Sequence, residues 1–200
     1  MAWGWAGSRG GGKHCKTGAA RPAEDPDVIN DPRLRQIALN TLFVHPWDHT
    51  RLMIALMHLG LKEKVWEEML GQDFGVSDNW SMGFVYYNIV ESLLVNEMLL
   101  TSWDGVLRIF PCWPLEKWAR FRDLRAKGAF LVSASCRNGK IEHLSVKSER
   151  GNPVRMEAPW PETVVREADS GREIATERDG NLLLWETTPH VCYILESGGC

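Results

Sequence analysis

Residues 81–102 constrain this chain most. Their pattern predicts one long helix on which apolar side chains, among them Phe84, Val85, Ile89, Val90, Leu93, Leu94, Met98 and Leu99, cover most of the circumference. A helix apolar nearly all round belongs inside a large core. Its one polar stripe is Asn88, Glu91, Ser92 and Asn96, spaced i, i+3, i+4, i+8 and therefore on one side. That stripe is either a solvent face or a wall of a carbohydrate pocket. The helices upstream are only ten or so residues long and cannot supply the core. The exposed apolar helix therefore predicts self-association.

Three regions follow from composition and period. Residues 1–27 are rich in Gly, Ala, Lys and Arg and read as a disordered tail. Their GGGKHCKT run is no phosphate loop, because His14 follows Lys13 and no strand precedes it. Residues 28–113 read as helical. Asp31 is an N-cap with Pro32 at the first helical position, and Leu34, Ile37, Ala38 and Leu42 fall on one face. A second helix spans 47–59 and stops at Gly60. A third spans 61–70, with Val65, Trp66 and Met69 on its dry side. His45, Asp48 and His49 cluster within five residues. Pro46 denies the two histidines a shared helical face, so no metal site is expected, and no cofactor motif is present. His58 reads as a core histidine.

Residues 114–200 change to period two. The runs 130–136 and 141–147, joined through Asn138-Gly139, are a strong hairpin signal. Turn signals at 169–171 and 179–180 separate strands expected at 163–167, 173–177 and 181–186, with a last strand at 191–195. Residues 118–125 read as a bridge whose arginines suit interdomain ion pairs. The fold class is α+β, with N-terminal helices followed by an antiparallel β-sandwich.

The formal net charge of -3 gives no case for nucleic-acid steering. No apolar run reaches the roughly 18 residues of a membrane span, and no signal-peptide pattern opens the chain; the compartment stays unassigned. Five cysteines lie far apart with no CxxC, so free thiols are expected. Ten tryptophans suit either core filling or stacking on sugar rings.

Chemistry concentrates in residues 97–114, EMLLTSWDGVLRIFPCWP, where a helix end passes through Trp103-Asp104-Gly105 into a short β-like run. Asp104 is either a simple Asp-Gly turn residue or an acid placed among aromatics. The segment resembles one in the α-L-fucosidase-type enzymes of glycoside hydrolase family 95, of the form E-M-L-L-Q-S-x-D-G-x-I-R-[LI]-[LF]-P-A-x-P. Residues 124–151 resemble the family's C-terminal β-domain, and 56–70 its late barrel helices. The likeness covers about residues 50–195. It implies that the helices are part of an (α/α)6 barrel, that the substrate is a carbohydrate, and that Asp104 is the base activating water in an inverting hydrolysis. Trp103, Asn88 and Glu91 are candidate sugar contacts. Thr101 stands where the family has Gln. The general acid and its paired asparagine fall outside the matched residues, which implies that these 200 residues alone are inactive. The rival expectation is a non-catalytic carbohydrate-binding or protein-interaction module.

Overall fold

The structure is a computed structural model that describes residue 28 and residues 31–42, 49–71 and 92–198. Expected features at 1–27, 43–48 and 72–91 lie outside the described residues. Helix α1 is Pro32–Leu42. Asp31 Oδ1 accepts from the Arg33 and Leu34 N–H groups at 2.8 and 3.2 Å, the expected cap. Of the expected apolar face, Ala38 and Leu42 are buried, while Ile37 stays 38% exposed.

Helix α2 is His49–His58 and α3 is Lys62–Gly71. Gly60, at φ 71°, reverses the chain between them. Its N–H reaches the Met57 carbonyl and that of Leu61 the Leu56 carbonyl, both at 3.0 Å. This pair of bonds closes the last turn of α2 and needs a left-handed residue at position 60. Met53, Leu56, Leu59 and Val65 then pack into a helical core with Leu94, Met98 and Cys112.

Residues 92–99 form helix α4, and there the pattern misled. The expected helix runs to 102, but strand β1, Leu100–Thr101, begins at once and pairs antiparallel with β2, Arg108–Ile109. The returning chain is the reason. Phe110 N–H donates to the Leu99 carbonyl at 2.8 Å and Cys112 N–H to that of Met98 at 3.4 Å. These carbonyls at the helix end have no partner inside the helix.

Eight further strands follow: β3 Ala119–Ala126, β4 Phe130–Arg137, β5 Lys140–Ser148, β6 Val154–Glu157, β7 Thr163–Glu167, β8 Glu177–Asp179, β9 Leu182–Trp185 and β10 Cys192–Ser197. They form a five-stranded sheet, β3-β4-β5-β10-β7, and a three-stranded one, β6-β9-β8. All ladders within them are antiparallel, which with the helices makes the class α+β. Strand β4 alternates as its sequence predicts, with Phe130, Val132, Ala134 and Cys136 buried. Both sheets contribute to one apolar cluster, through Val132, Leu144, Val146 and Tyr193 on one side and Val154, Met156, Leu183 and Trp185 on the other.

Two strand expectations change. The supposed bridge at 118–125 is the edge strand β3, and Arg125 pairs with Glu149 at 2.7 and 3.1 Å, inside the strand region. The expected strand 173–177 is mostly irregular. Glu173 makes only an isolated bridge to Arg166, Ile174 N–H reaches the Val165 carbonyl, and regular pairing starts at Glu177.

A buried polar knot joins the end of β5 to the approach to β10. Ser148 is fully buried, with Oγ accepting from Gly151 N–H at 2.9 Å and lying 2.8 Å from Thr187 Oγ1. Gly151 has φ 76°, and a Cβ there would sit 2.7 Å from Pro189 Cδ. Gly139 in the β4–β5 turn has a similar φ, 77°, with nothing within 4 Å of a built Cβ. Gly139→Ala should therefore cost only the left-handed strain, about 1 kcal/mol. Gly151→Ala should cost about 1–3 kcal/mol more, for overpacking. Urea midpoints of the two variants test this; equal losses would show that Pro189 does not seat against residue 151.

Candidate functional site

Asp104 and its neighbours, where the sequence concentrates chemistry, sit on the hairpin β1–β2. Asp104 and Gly105 lie at φ 52° and 75° in a single 3-10 turn, Trp103–Gly105. Two successive left-handed residues suit Asp-Gly, because aspartate tolerates a positive φ and glycine adopts one freely. Val106 N–H donates to the Trp103 carbonyl at 3.2 Å and to Asp104 Oδ1 at 3.3 Å.

Arg108 then folds back over the turn. Its Nη1 donates to Asp104 Oδ1 at 3.1 Å and its Nη2 to Oδ2 at 3.3 Å, a two-pronged pair. The side chains of Arg108 and Asp104 retain 17% and 18% of their exposure. The guanidinium carbon stands 3.8 Å from the centroid of the Trp103 ring. Trp103 is buried, and its ring lies 5.9 Å from that of His58. His58 Nε2 lies 3.8 Å from Glu97 Oε2 on α4. Contacts therefore run from Glu97 through His58, Trp103 and Arg108 to Asp104, across α2, α4 and the hairpin.

This arrangement orients a carboxylate. Each oxygen keeps acceptor capacity beyond its bond to Arg108, so Asp104 can hold a water or a hydroxyl while its orientation is set. Trp103 differs from the sugar platform it was expected to be. One ring face carries Arg108 and the indole is buried, so its geometry is that of a support for the Arg108–Asp104 pair. Asn88 and Glu91 lie outside the described residues. Among the described residues no group of three or more His, Cys, Asp or Glu side chains could hold a metal, and no helix is long and apolar enough to cross a membrane.

Sequence reasoning passed over Arg108 and Glu97. Arg108 was legible in principle, because it lies four residues after Asp104 and the hairpin register brings it back. Glu97 was not, since its neighbour His58 lies 39 positions away in sequence. His58 is the buried histidine expected, though it faces a polar group as well as the core.

Cavities of about 760, 480 and 380 Å³ formed by described residues lie elsewhere, and neither Asp104 nor Trp103 lines them. The largest sits beside Glu167 and Arg172, whose ion pair holds the Glu167 carboxyl below its usual range. Cys112, Cys136 and Cys192 are free thiols. Burial is the main cause that raises all three above the usual thiol value, and Cys112 reaches about 11. No protein-family model and no curated protein sequence matches the chain.

Two outcomes follow. In a cycle of Asp104→Asn and Arg108→Gln, the double variant should lose about 1–2 kcal/mol less than the sum of the singles, the coupling of a half-buried two-pronged pair. Additive losses in urea denaturation would show the pair is not held in solution. Of the three cysteines among the described residues, iodoacetamide at pH 8 should label the partly exposed Cys192 first, and Cys112 and Cys136 only after denaturation. At a pKa near 11 about one Cys112 thiol in a thousand is ionised at that pH. Rapid native labelling of Cys112, mapped by mass spectrometry, would mean its segment opens readily.

Proposed function

We propose that this chain is the C-terminal portion of an inverting glycosidase of the α-L-fucosidase type, with Asp104 as the base that activates water. In this reading α1–α4 are a remnant of an (α/α) barrel, and the two sheets with their shared core are its C-terminal β-sandwich. The observation that carries the reading is the presentation of Asp104. A left-handed hairpin turn at the end of a helix holds it, and Arg108 fixes its orientation while it remains partly exposed.

Preorganisation of that kind suits general-base catalysis, where reacting groups must be held in place before the chemistry. In an inverting hydrolysis the base takes a proton from water as the water oxygen attacks the anomeric carbon. An acid on the opposite face protonates the leaving oxygen, with the two carboxyl groups about 6.5–9.5 Å apart. Asp104 supplies the first role, and the acid belongs to a longer polypeptide. The 200 residues alone are inactive in this reading. Leu93, 43% exposed on α4, is a large apolar side chain that a further barrel helix would cover in this reading.

A second reading is favoured by the same bonds. Asp104 is engaged by Arg108 and by Val106 N–H, which is how a turn acid stabilises a hairpin without catalysis. The protein is then a non-catalytic carbohydrate-binding or interaction module. The experiment that separates the two uses the chain joined to its upstream barrel sequence, assayed on fucosylated oligosaccharides by NMR. The catalytic reading expects hydrolysis that releases the inverted anomer first. It expects Asp104→Asn to lower the rate about 10²-fold or more with circular dichroism unchanged. Undiminished hydrolysis by that variant would end the assignment to Asp104.

A further inference from the structure

The seam between α3 and the sheets contains a groove that nothing above uses. It consists of the cavities of about 480 and 380 Å³, which share Lys62, Trp113 and Glu116 as walls and therefore adjoin. Each volume lies within the range of small-molecule sites, about 300–1,000 Å³. At one end Trp66 from α3 meets Trp113 edge to face, with ring centroids 5.6 Å apart at 71°. Trp113 Nε1 donates to the Lys117 carbonyl at 3.2 Å, which sets the ring's orientation. Both indoles are half-buried, unlike Trp103. At the other end Glu157, at the close of β6, and Asn181, at the turn into β9, face the groove. No hydrogen bond or ion pair among the described residues occupies the side chains of Lys62, Glu116, Glu157 or Asn181.

We infer that this groove binds a neutral oligosaccharide at a site separate from Asp104. The inference rests on the carbohydrate reading proposed above and adds a second place of contact. Ring walls of tryptophan suit the apolar faces of sugar rings. Carboxylates accept hydroxyl protons, an ammonium donates to hydroxyl oxygens, and an amide does both. The charges oppose an anion, because Glu63, Glu67, Glu116 and Glu157 line the groove against Lys62. The preference for a neutral sugar over a cation rests on the tryptophan walls and on the mixed donors and acceptors, and spermine tests it. Two adjoining cavities argue for several rings rather than one. Residues 103–116 then present Asp104 at one end and the groove's Trp113 and Glu116 at the other.

The test titrates the full chain with cellohexaose, xylohexaose, 2′-fucosyllactose and spermine, and follows tryptophan emission. At least one oligosaccharide should give a saturable shift. Glu116 and Asn181 are exposed, so Glu116→Gln with Asn181→Ala should leave the fold intact by circular dichroism yet weaken that binding about tenfold or more, as loss of two polar contacts requires. Trp66→Leu should remove most of the emission response. Asp104→Asn should bind as the parent does. A response to spermine alone, no saturable response to any probe, or sugar binding unchanged by the groove variants would overturn the inference. Weakening by Asp104→Asn equal to that of the groove variants would overturn it too, by merging the two sites. Sugar binding in a protein whose upstream-extended form shows no hydrolysis would keep the groove and end the catalytic reading. Hydrolysis without groove binding would do the reverse.

Discussion

Two backbone hydrogen bonds at the end of α4 tie this protein together. A helix leaves its last carbonyls without partners, and here the N–H groups of Phe110 and Cys112 take those of Leu99 and Met98. The same few residues then serve two cores. Leu94 and Met98 pack with Cys112 among the helices, while Leu99, Leu100 and Phe110 pack among the strands. Had the helix continued to residue 102, Thr101 could not pair with Arg108, and the hairpin that presents Asp104 would not close.

That hairpin explains why the site is built as it is. Residues 102–107 connect the two strands, and within this loop Asp104 and Gly105 are both left-handed, a conformation that aspartate is among the few side chains to tolerate. The register places Arg108 opposite Thr101, close enough to reach back over Trp103 to the carboxylate. Trp103 is thereby a structural partner of the charge pair. Its link to His58 and Glu97 couples the hairpin to the helical core. The rest of the β-region anchors the same segment. Leu107 exchanges backbone bonds with Arg155 and Glu157 at 2.8 and 2.9 Å, which docks the hairpin on β6.

The features legible in the sequence are those decided by neighbours in the chain. The Asp31 cap, the Gly60 reversal and the Asn138-Gly139 hairpin each depend on two to six consecutive residues, and each appears where the pattern places it. A cap is a short hydrogen bond and a left-handed turn is a local steric requirement, so no distant residue is needed to set either. The sequence by itself determined these, the alternation of β4 and the α-then-β order of the chain. Tertiary structure decided where α4 ends, because partners for its carbonyls arrive from residues 110 and 112. It decided that 118–125 is an edge strand and that 173–176 is mostly irregular, because strand pairing depends on which neighbour offers its free backbone edge. It also decided the setting of Asp104. An Asp-Gly pair specifies a turn locally, but the guanidinium, the indole and the helical carboxylate around it come from different elements, and only the packed chain brings them within a few ångströms.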